Sequence, residues 1–183
     1  AGEISTRLGL QGSPSITESM LIERDVQLLK MTGGQYHVSH ISTKQGIQSV
    51  IKAKEEGLRI SCDTSPPYML LNDFSLMNYD TRFKLIPPLR QEEDRLAVIE
   101  GLKNGSIDAI SSDHLAQDRD SKLLPFTLAK AGSLGIETLL AATLSLVHSE
   151  EISLMKAIEL LTSGPASILN LNSGRLKVGN PAD

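Results

Sequence analysis

Apolar positions recur at two different periods along this chain, and the alternation between them sets the predicted fold. Ile16, Met20, Ile22, Val26 and Leu29 return at steps that fit one stripe of a helix. Ser15 and Glu18 stand at capping-box spacing in front of it, and Gly33-Gly34 supplies the left-handed stop. Gln35–Ile41 then reads as a first strand. Ser42 or Thr43 caps a second helix, which carries Ile47, Val50 and Ile51 and stops at Gly57. Leu58–Asp63 is the second predicted strand, ended by Pro66-Pro67, since proline cannot donate to a central ladder. Phe83–Ile86 is a weaker third strand, stopped by Pro87-Pro88.

The segment QEEDRLAVIEGLK places acids in its first turn and a lysine in its last, as the helix dipole favours, and Asn104-Gly105 turns the chain into a fourth strand, Ser106–Asp113. A polar loop of about twenty residues runs from there to Leu134, a length often associated with function. GIETLLAATLSLV and SLMKAIELL are two further helices, and Ser163-Gly164-Pro165 opens a last short one. The predicted strands start at 35, 58, 83 and 106, spaced by 23 to 25 residues, the length of one β-loop-α-loop unit. Alternation at that spacing predicts parallel strands with right-handed crossovers, as in half of an eight-stranded barrel or a small open sheet.

Composition narrows the picture. Net charge is −4 over 183 residues, and the 18 basic residues are scattered, so the chain lacks the clustered Lys and Arg of a nucleic-acid surface. No apolar run is long enough to span a membrane. The single cysteine, Cys62, has no internal partner, which fits a cytoplasmic setting, and it reads as a small buried residue rather than a nucleophile. The start at Ala1 and the close on GRLKVGNPAD suggest a piece of something longer. A half barrel with two open edges would self-associate, so a homo-oligomer is expected.

In parallel α/β folds, reactive groups gather at the C-terminal ends of the strands. The polar residues there are His37 and His40 on the first strand, Asp63 on the second, and Asp113 with His114 on the fourth. Residues three apart on a strand face opposite ways, so at most one of His37 and His40 is expected to face the site, and His40 is nearer the rim. A hydrogen-bonded structural histidine is the competing reading of either one. Asp113 is placed to bind a divalent metal or take a proton from water, or to cap a turn. Its neighbour His114 is expected to point away. Asp63 reads as a cap for the loop before Pro66, Glu92-Glu93-Asp94 as a solvated first turn, and Arg82, Arg90 and Lys103 as surface charges.

The segments YHVSHIST, FKLIPPLR, EEDRLAVIEGLKNGSIDAISSDH, GIETLL and GRLKVGNPAD, in this order, resemble the C-terminal half of the class I dihydroorotases, of the amidohydrolase superfamily. GEISTRLGLQGSP resembles the family segment that leads into the fifth barrel unit. The resemblance implies an α/β fold that is part of a (β/α)8 TIM barrel. Residues 1–172 would hold about barrel strands five to eight with their helices, and 173–183 would begin a terminal β-sandwich. It implies zinc-dependent interconversion of dihydroorotate and N-carbamoyl-L-aspartate. In that chemistry zinc polarises water and the ring carbonyl, and the aspartate ending the last strand takes the proton and passes it to the leaving nitrogen. Asp113 matches that aspartate, and His40 and Asp113 match metal ligands.

The departures from the family pattern are specific. Pro67 stands where the family has a metal-binding histidine after strand six, and Ile86 stands where an asparagine contacts substrate. Gln117 replaces a substrate-binding histidine, and Ala131-Gly132 replaces Phe-Gly. Gln117, Ala131 and Gly132 are thus the substrate-side positions. The family's first-strand His-x-His has no counterpart in these residues, so zinc is expected to be weak or absent in this chain. The resemblance leaves a second reading, a silent homologue serving as structural partner of aspartate transcarbamoylase, and a third, a hydantoinase relative.

Overall fold

The computed structural model describes residues 2–180. A short helix α1 (Glu3–Arg7) precedes α2 (Ile16–Thr32), whose apolar stripe is shorter than predicted. Ile22, Val26 and Leu29 are buried, but Ile16 and Met20 are 49% and 61% exposed. β1 (Tyr36–Val38) leads into α3 (Lys44–Glu55), and β2 (Ile60–Thr64) into the single turn α4 (Pro66–Leu70). α5 (Glu92–Asn104) leads to β3 (Ala109–Ile110), and the remainder is helical: α6 (Arg119–Leu123), α7 (Leu139–His148), α8 (Leu154–Leu161) and α9 (Ser163–Ile168).

The strands form one parallel sheet in the order β1-β2-β3. Three strands, not four, are present among the described residues. The predicted strand at 83–86 is a 3-10 turn at Thr81–Phe83 followed by irregular chain. Pro87 and Pro88 have no amide to give a ladder, and Leu85 is drawn instead into a small separate core with Tyr68 and Leu89. β2 therefore pairs β3 directly, with Asp63 opposite Ala109 and Thr64 opposite Ile110. Every strand is shorter than its predicted run.

One aliphatic core joins the layers. Ile22 and Val26 from α2, Ile47 and Val50 from α3, and Val98 and Leu102 from α5 pack over Val38, Cys62 and Ile110 of the sheet, with Leu160 of α8 in the same cluster. At roughly 1.5–3 kcal/mol for each fully buried aliphatic side chain, this burial is the main force holding the sheet to its helices. No helix among the described residues is long and apolar enough to cross a membrane.

The predicted capping box at Ser15 and Glu18 does not form. Ser15 has helical dihedrals and its hydroxyl goes to Asp94 Oδ2 at 3.3 Å. Glu18 reaches instead to the start of α3. There its carboxylate accepts the backbone N–H groups of Ser42 and Thr43, each at 3.0 Å, and the Thr43 hydroxyl at 2.8 Å. Four free amides at a helix start attract any nearby carboxylate, and a tertiary one wins here. Thr43 is the N-cap, accepting from Gly46 N–H at 3.0 Å. Asp94 is likewise buried, not solvated, and accepts from Lys44 N–H at 2.9 Å. Arg90 is no surface charge either. It is buried, with Nε donating to the Ser42 hydroxyl at 3.1 Å and Nη2 3.5 Å from Glu18 Oε2. Together these contacts staple the segment after β1, which carries His40, to the rest of the fold.

Candidate active site

β1 ends at Val38, two residues before His40, and this early stop shapes the site. His40 turns into the left-handed region (φ +57°), so strand alternation no longer applies to it. His37 and His40 both converge on Asp63, contrary to the expectation that only one of them could face the site. His37 Nε2 lies 2.8 Å from Asp63 Oδ2, and His40 Nδ1 lies 3.1 Å from Asp63 Oδ1. The His40 backbone N–H donates to the same Oδ1 at 3.0 Å. The direct pairing of β2 with β3 brings in Ser111, whose hydroxyl donates to Asp63 Oδ1 at 2.7 Å. Asp63 is thus no loop cap; it is the hub of the rim.

Past β3 the chain takes a second left-handed turn, at Asp113 (φ +45°). This turn sets Asp113 Oδ1 3.4 Å from His40 Nε2. The two residues singled out in the sequence therefore stand side by side at the C-terminal rim of a parallel sheet. Left-handed conformations are uncommon for residues with side chains and often accompany function. His114 points away, as expected, and its Nδ1 accepts the N–H groups of Gly135 and Ile136 at 3.2 and 3.3 Å. Those contacts press Gly135 against the rim. A Cβ there would lie 1.8 Å from the Ser112 carbonyl oxygen, so only glycine fits.

The two rim carboxylates are shifted in opposite directions. Burial pushes Asp63 up, but hydrogen bonds from His37, His40 and Ser111 together outweigh it and hold its carboxyl well below the usual range. Asp113 is shifted upward, by burial first and by the negative charge of Asp63, with His40 opposing. The Asp63 hydrogen bond raises His40 against the opposing effect of its burial. Cys62 is fully buried and its thiol is pushed up to about 12, which suits packing and not nucleophilic attack.

Gln117, Ala131 and Gly132 gather beside Asp113. Gln117 Nε2 donates to the Ala131 carbonyl at 2.9 Å, and Gly132 N–H donates to the Lys84 carbonyl at 2.9 Å. With Asp113, Leu85 and Ile86 they line a cleft of about 260 Å³. A larger apolar cleft of about 490 Å³ shares Gln117 and Gly132 and has Pro66, Pro67 and Leu70 in its wall. Pro67 sits in the first turn of α4 and offers no donor atom. Sequence reasoning missed Ser111, Glu18 and Arg90 as parts of this architecture. The one available signal was Ser111-Ser112-Asp113, a polar run closing an apolar strand.

The donor set tests whether a catalytic zinc fits. Both ring nitrogens of His37 are committed, Nδ1 to Ser61 Oγ at 2.7 Å and Nε2 to Asp63. Asp63 is surrounded by its own hydrogen-bond donors. His40 Nε2 and the Asp113 carboxylate remain. Among the described residues no group of three His, Cys, Asp or Glu side chains is placed to hold a metal. Catalytic zinc generally takes three protein ligands, so these residues do not by themselves make such a site.

The sequence pattern of the amidohydrolase family matches residues 16–183. The chain belongs to the amidohydrolase family. Over all of its length this amidohydrolase chain is 44% identical to a protein named dihydroorotase from Anaplasma phagocytophilum, of which it covers 41%. It is 42% identical to a dihydroorotase from Syntrophotalea carbinolica, covering 43%. The chain thus spans about two fifths of the length of these relatives. Among solved structures, the L-hydantoinase (dihydropyrimidinase) from Arthrobacter aurescens superposes on 93% of the chain with a TM-score of 0.89 at 29% identity, over 39% of its own length. The D-hydantoinase from a Bacillus sp. AR9 does so with a TM-score of 0.86 at 26% identity, over 40% of its length. The architecture is therefore an α/β amidohydrolase-type fold.

Proposed function

We propose that the chain is part of a dihydroorotase-type cyclic amide hydrolase of pyrimidine biosynthesis, acting on dihydroorotate and N-carbamoyl-L-aspartate. The observation that carries this reading is the 3.4 Å approach of His40 Nε2 to Asp113 Oδ1 at the rim, beside the cleft with Gln117 and Gly132. On this reading β1 to β3 belong to a (β/α)8 barrel, residues 1–172 are its portion here, and 173–183 begin a terminal sandwich. Residues 181–183 lie outside the described residues.

Opening a cyclic amide requires that a water lose a proton and that the ring nitrogen gain one. A carboxyl shifted upward by burial is suited to both transfers, and Asp113 is the group so placed. His40 faces it. Gln117, Ala131 and Gly132 contact substrate on this reading, with the Gln117 amide and nearby backbone as polar anchors in a cleft whose wall also holds Asp113 and Lys130. His40 and Asp113 are the donors the described residues offer to zinc. Atomic emission after dialysis is expected to find this chain well below one zinc per molecule; stoichiometric zinc would contradict that.

A second reading is a silent homologue acting as structural partner of aspartate transcarbamoylase. Two observations favour it: Pro67 and Ile86 put apolar side chains where the family pattern has a metal ligand and a substrate contact. The discriminating experiment assays the intact parent protein with dihydroorotate, alone and with transcarbamoylase. Turnover abolished by Asp113→Asn supports the enzyme. No turnover in either arm supports the silent partner.

A further inference from the structure

The long loop after β3, residues 115–133, is closed at its neck by Leu115 N–H donating to the Ser133 carbonyl at 2.9 Å. Ser121, Ala129 and Gly132 are its buried residues. Little apolar burial holds it in place, so its position depends on hydrogen bonds to the chain around the 3-10 turn Thr81–Phe83. Two lysines make most of those bonds, in exchange. Lys84 sends Nζ into the loop, to the carbonyls of Phe126 at 2.8 Å and Thr127 at 2.9 Å. Lys122 sends Nζ out of the loop, to the Thr81 carbonyl at 2.9 Å, and the Thr81 hydroxyl donates back to the Lys122 carbonyl. The turn at Pro125 places the amides of Leu128 and Ala129 on the Pro125 carbonyl, and the next two carbonyls are the ones Lys84 takes. Lys84 Nζ also stands 5.7 Å from the centre of the Phe126 ring, within reach of a cation–π contact. An ammonium has three donors and no acceptor, which suits it to two carbonyls and a ring face.

Lys84 grips the loop a second time with its backbone. Its carbonyl accepts Gly132 N–H at 2.9 Å, next to Ala131, whose own carbonyl accepts from Gln117. Gly132 is packed against the neck as well, since a Cβ there would lie 2.6 Å from the Leu115 carbonyl oxygen. We propose that Lys84 is a positioning residue for the substrate side of the cleft, holding the loop that carries Gln117, Ala131 and Gly132 against Leu85 and Ile86 through both its ammonium and its carbonyl. Those five residues line one cleft, and Lys84 lies outside that lining. It therefore acts through the loop and not on the ligand. Arg82, two positions away, is a contrast. Its side chain is 81% exposed, and its ion pair is with Asp80 in its own turn. The meaning of the brace for substrate rests on the hydrolase reading, but the brace itself does not.

The test is made on the intact parent protein with Lys84→Met, which removes the ammonium and keeps most of the side chain's length. Backbone hydrogen exchange across residues 126–132, read by mass spectrometry, is expected to quicken about tenfold as local opening becomes easier. KM for dihydroorotate is expected to rise about tenfold while kcat changes less than about threefold, the pattern of lost binding rather than lost chemistry. Lys84→Arg can still donate to both carbonyls and is expected to restore both readings. Arg82→Gln removes a neighbouring charge without touching the brace and is expected to leave both unchanged. Unchanged exchange at 126–132 in a folded Lys84→Met protein overturns the proposal. Faster exchange with KM unmoved overturns it too. Should Lys84→Met fail to fold, Lys122→Met breaks the reciprocal bond and is judged by the same two readings. An unaltered parent without turnover would fail the hydrolase reading alone, and the exchange rates would then decide whether the brace exists.

Discussion

The two ends of the rim are built on opposite plans. At the end of β2, Asp63 is 6% exposed and accepts from both neighbouring histidines, a backbone amide and a hydroxyl. At the end of β3, Asp113 lies beside a cleft, and His40 at 3.4 Å is the ionisable side chain it meets among the described residues. A carboxylate saturated with donors is held ionised and still. A carboxylate with few donors and partial burial is left able to gain and lose a proton. On the proposed hydrolase reading, holding falls to Asp63 and reaction to Asp113, although both are aspartates at the ends of paired strands.

Substitutions separate the two roles most sharply. Asp113→Asn is expected to lower dihydroorotate turnover by the parent roughly 10²- to 10⁴-fold, the usual worth of a general acid–base group. Its effect on stability in urea is expected to stay under about 1 kcal/mol, since few bonds are lost. Asp63→Ala reverses the balance. It strands His37, the His40 amide and Ser111 without their acceptor and is expected to cost about 3 kcal/mol in urea denaturation. Ser111→Ala removes one of the Asp63 donors and is expected to cost about 1 kcal/mol by the same measurement. A stability loss for Asp113→Asn equal to that of Asp63→Ala would erase the distinction.

The pH dependence has opposite signs at the two ends. Asp63 is depressed in the folded chain, so its contribution is present above the unfolded value near 4 and is lost as pH falls through the folded value. Asp113 is raised, so its contribution is present below about pH 4 and is lost as pH rises through its folded value. Between about pH 5 and pH 2, the stability advantage of the unaltered chain over Asp63→Asn is therefore expected to shrink. The advantage over Asp113→Asn is not expected to shrink over that range. Urea midpoints measured with chelator across this interval check both statements.

Local pattern reached the longer helices, the parallel sheet and the rim pair His40 and Asp113, because apolar periodicity and strand-end position are local properties; the short helices α1, α4 and α6 fall where no helix was predicted. It did not reach Asp63, for a reason that lies in the turn after Val38. Strand alternation separates His37 from His40, and only a left-handed His40 brings both rings to one carboxylate. Glu18 reads as a cap of its own helix because the residues that outcompete that role, Ser42 and Thr43, lie 24 and 25 positions away. The run at 83–86 has strand-like residues but no place in the ladder, since β2 and β3 already pair with each other. In each case a contact distant in sequence overrides a sound local signal.

The division between a fixed and a reactive carboxylate is tested most directly by following the side-chain carboxyl carbons of Asp63 and Asp113 through an acid titration by carbon-13 NMR. Asp113 is expected to protonate first, above the ordinary aspartate range, with Asp63 still ionised well below it. Protonation of Asp63 before Asp113, or of both together at an ordinary value, would contradict it.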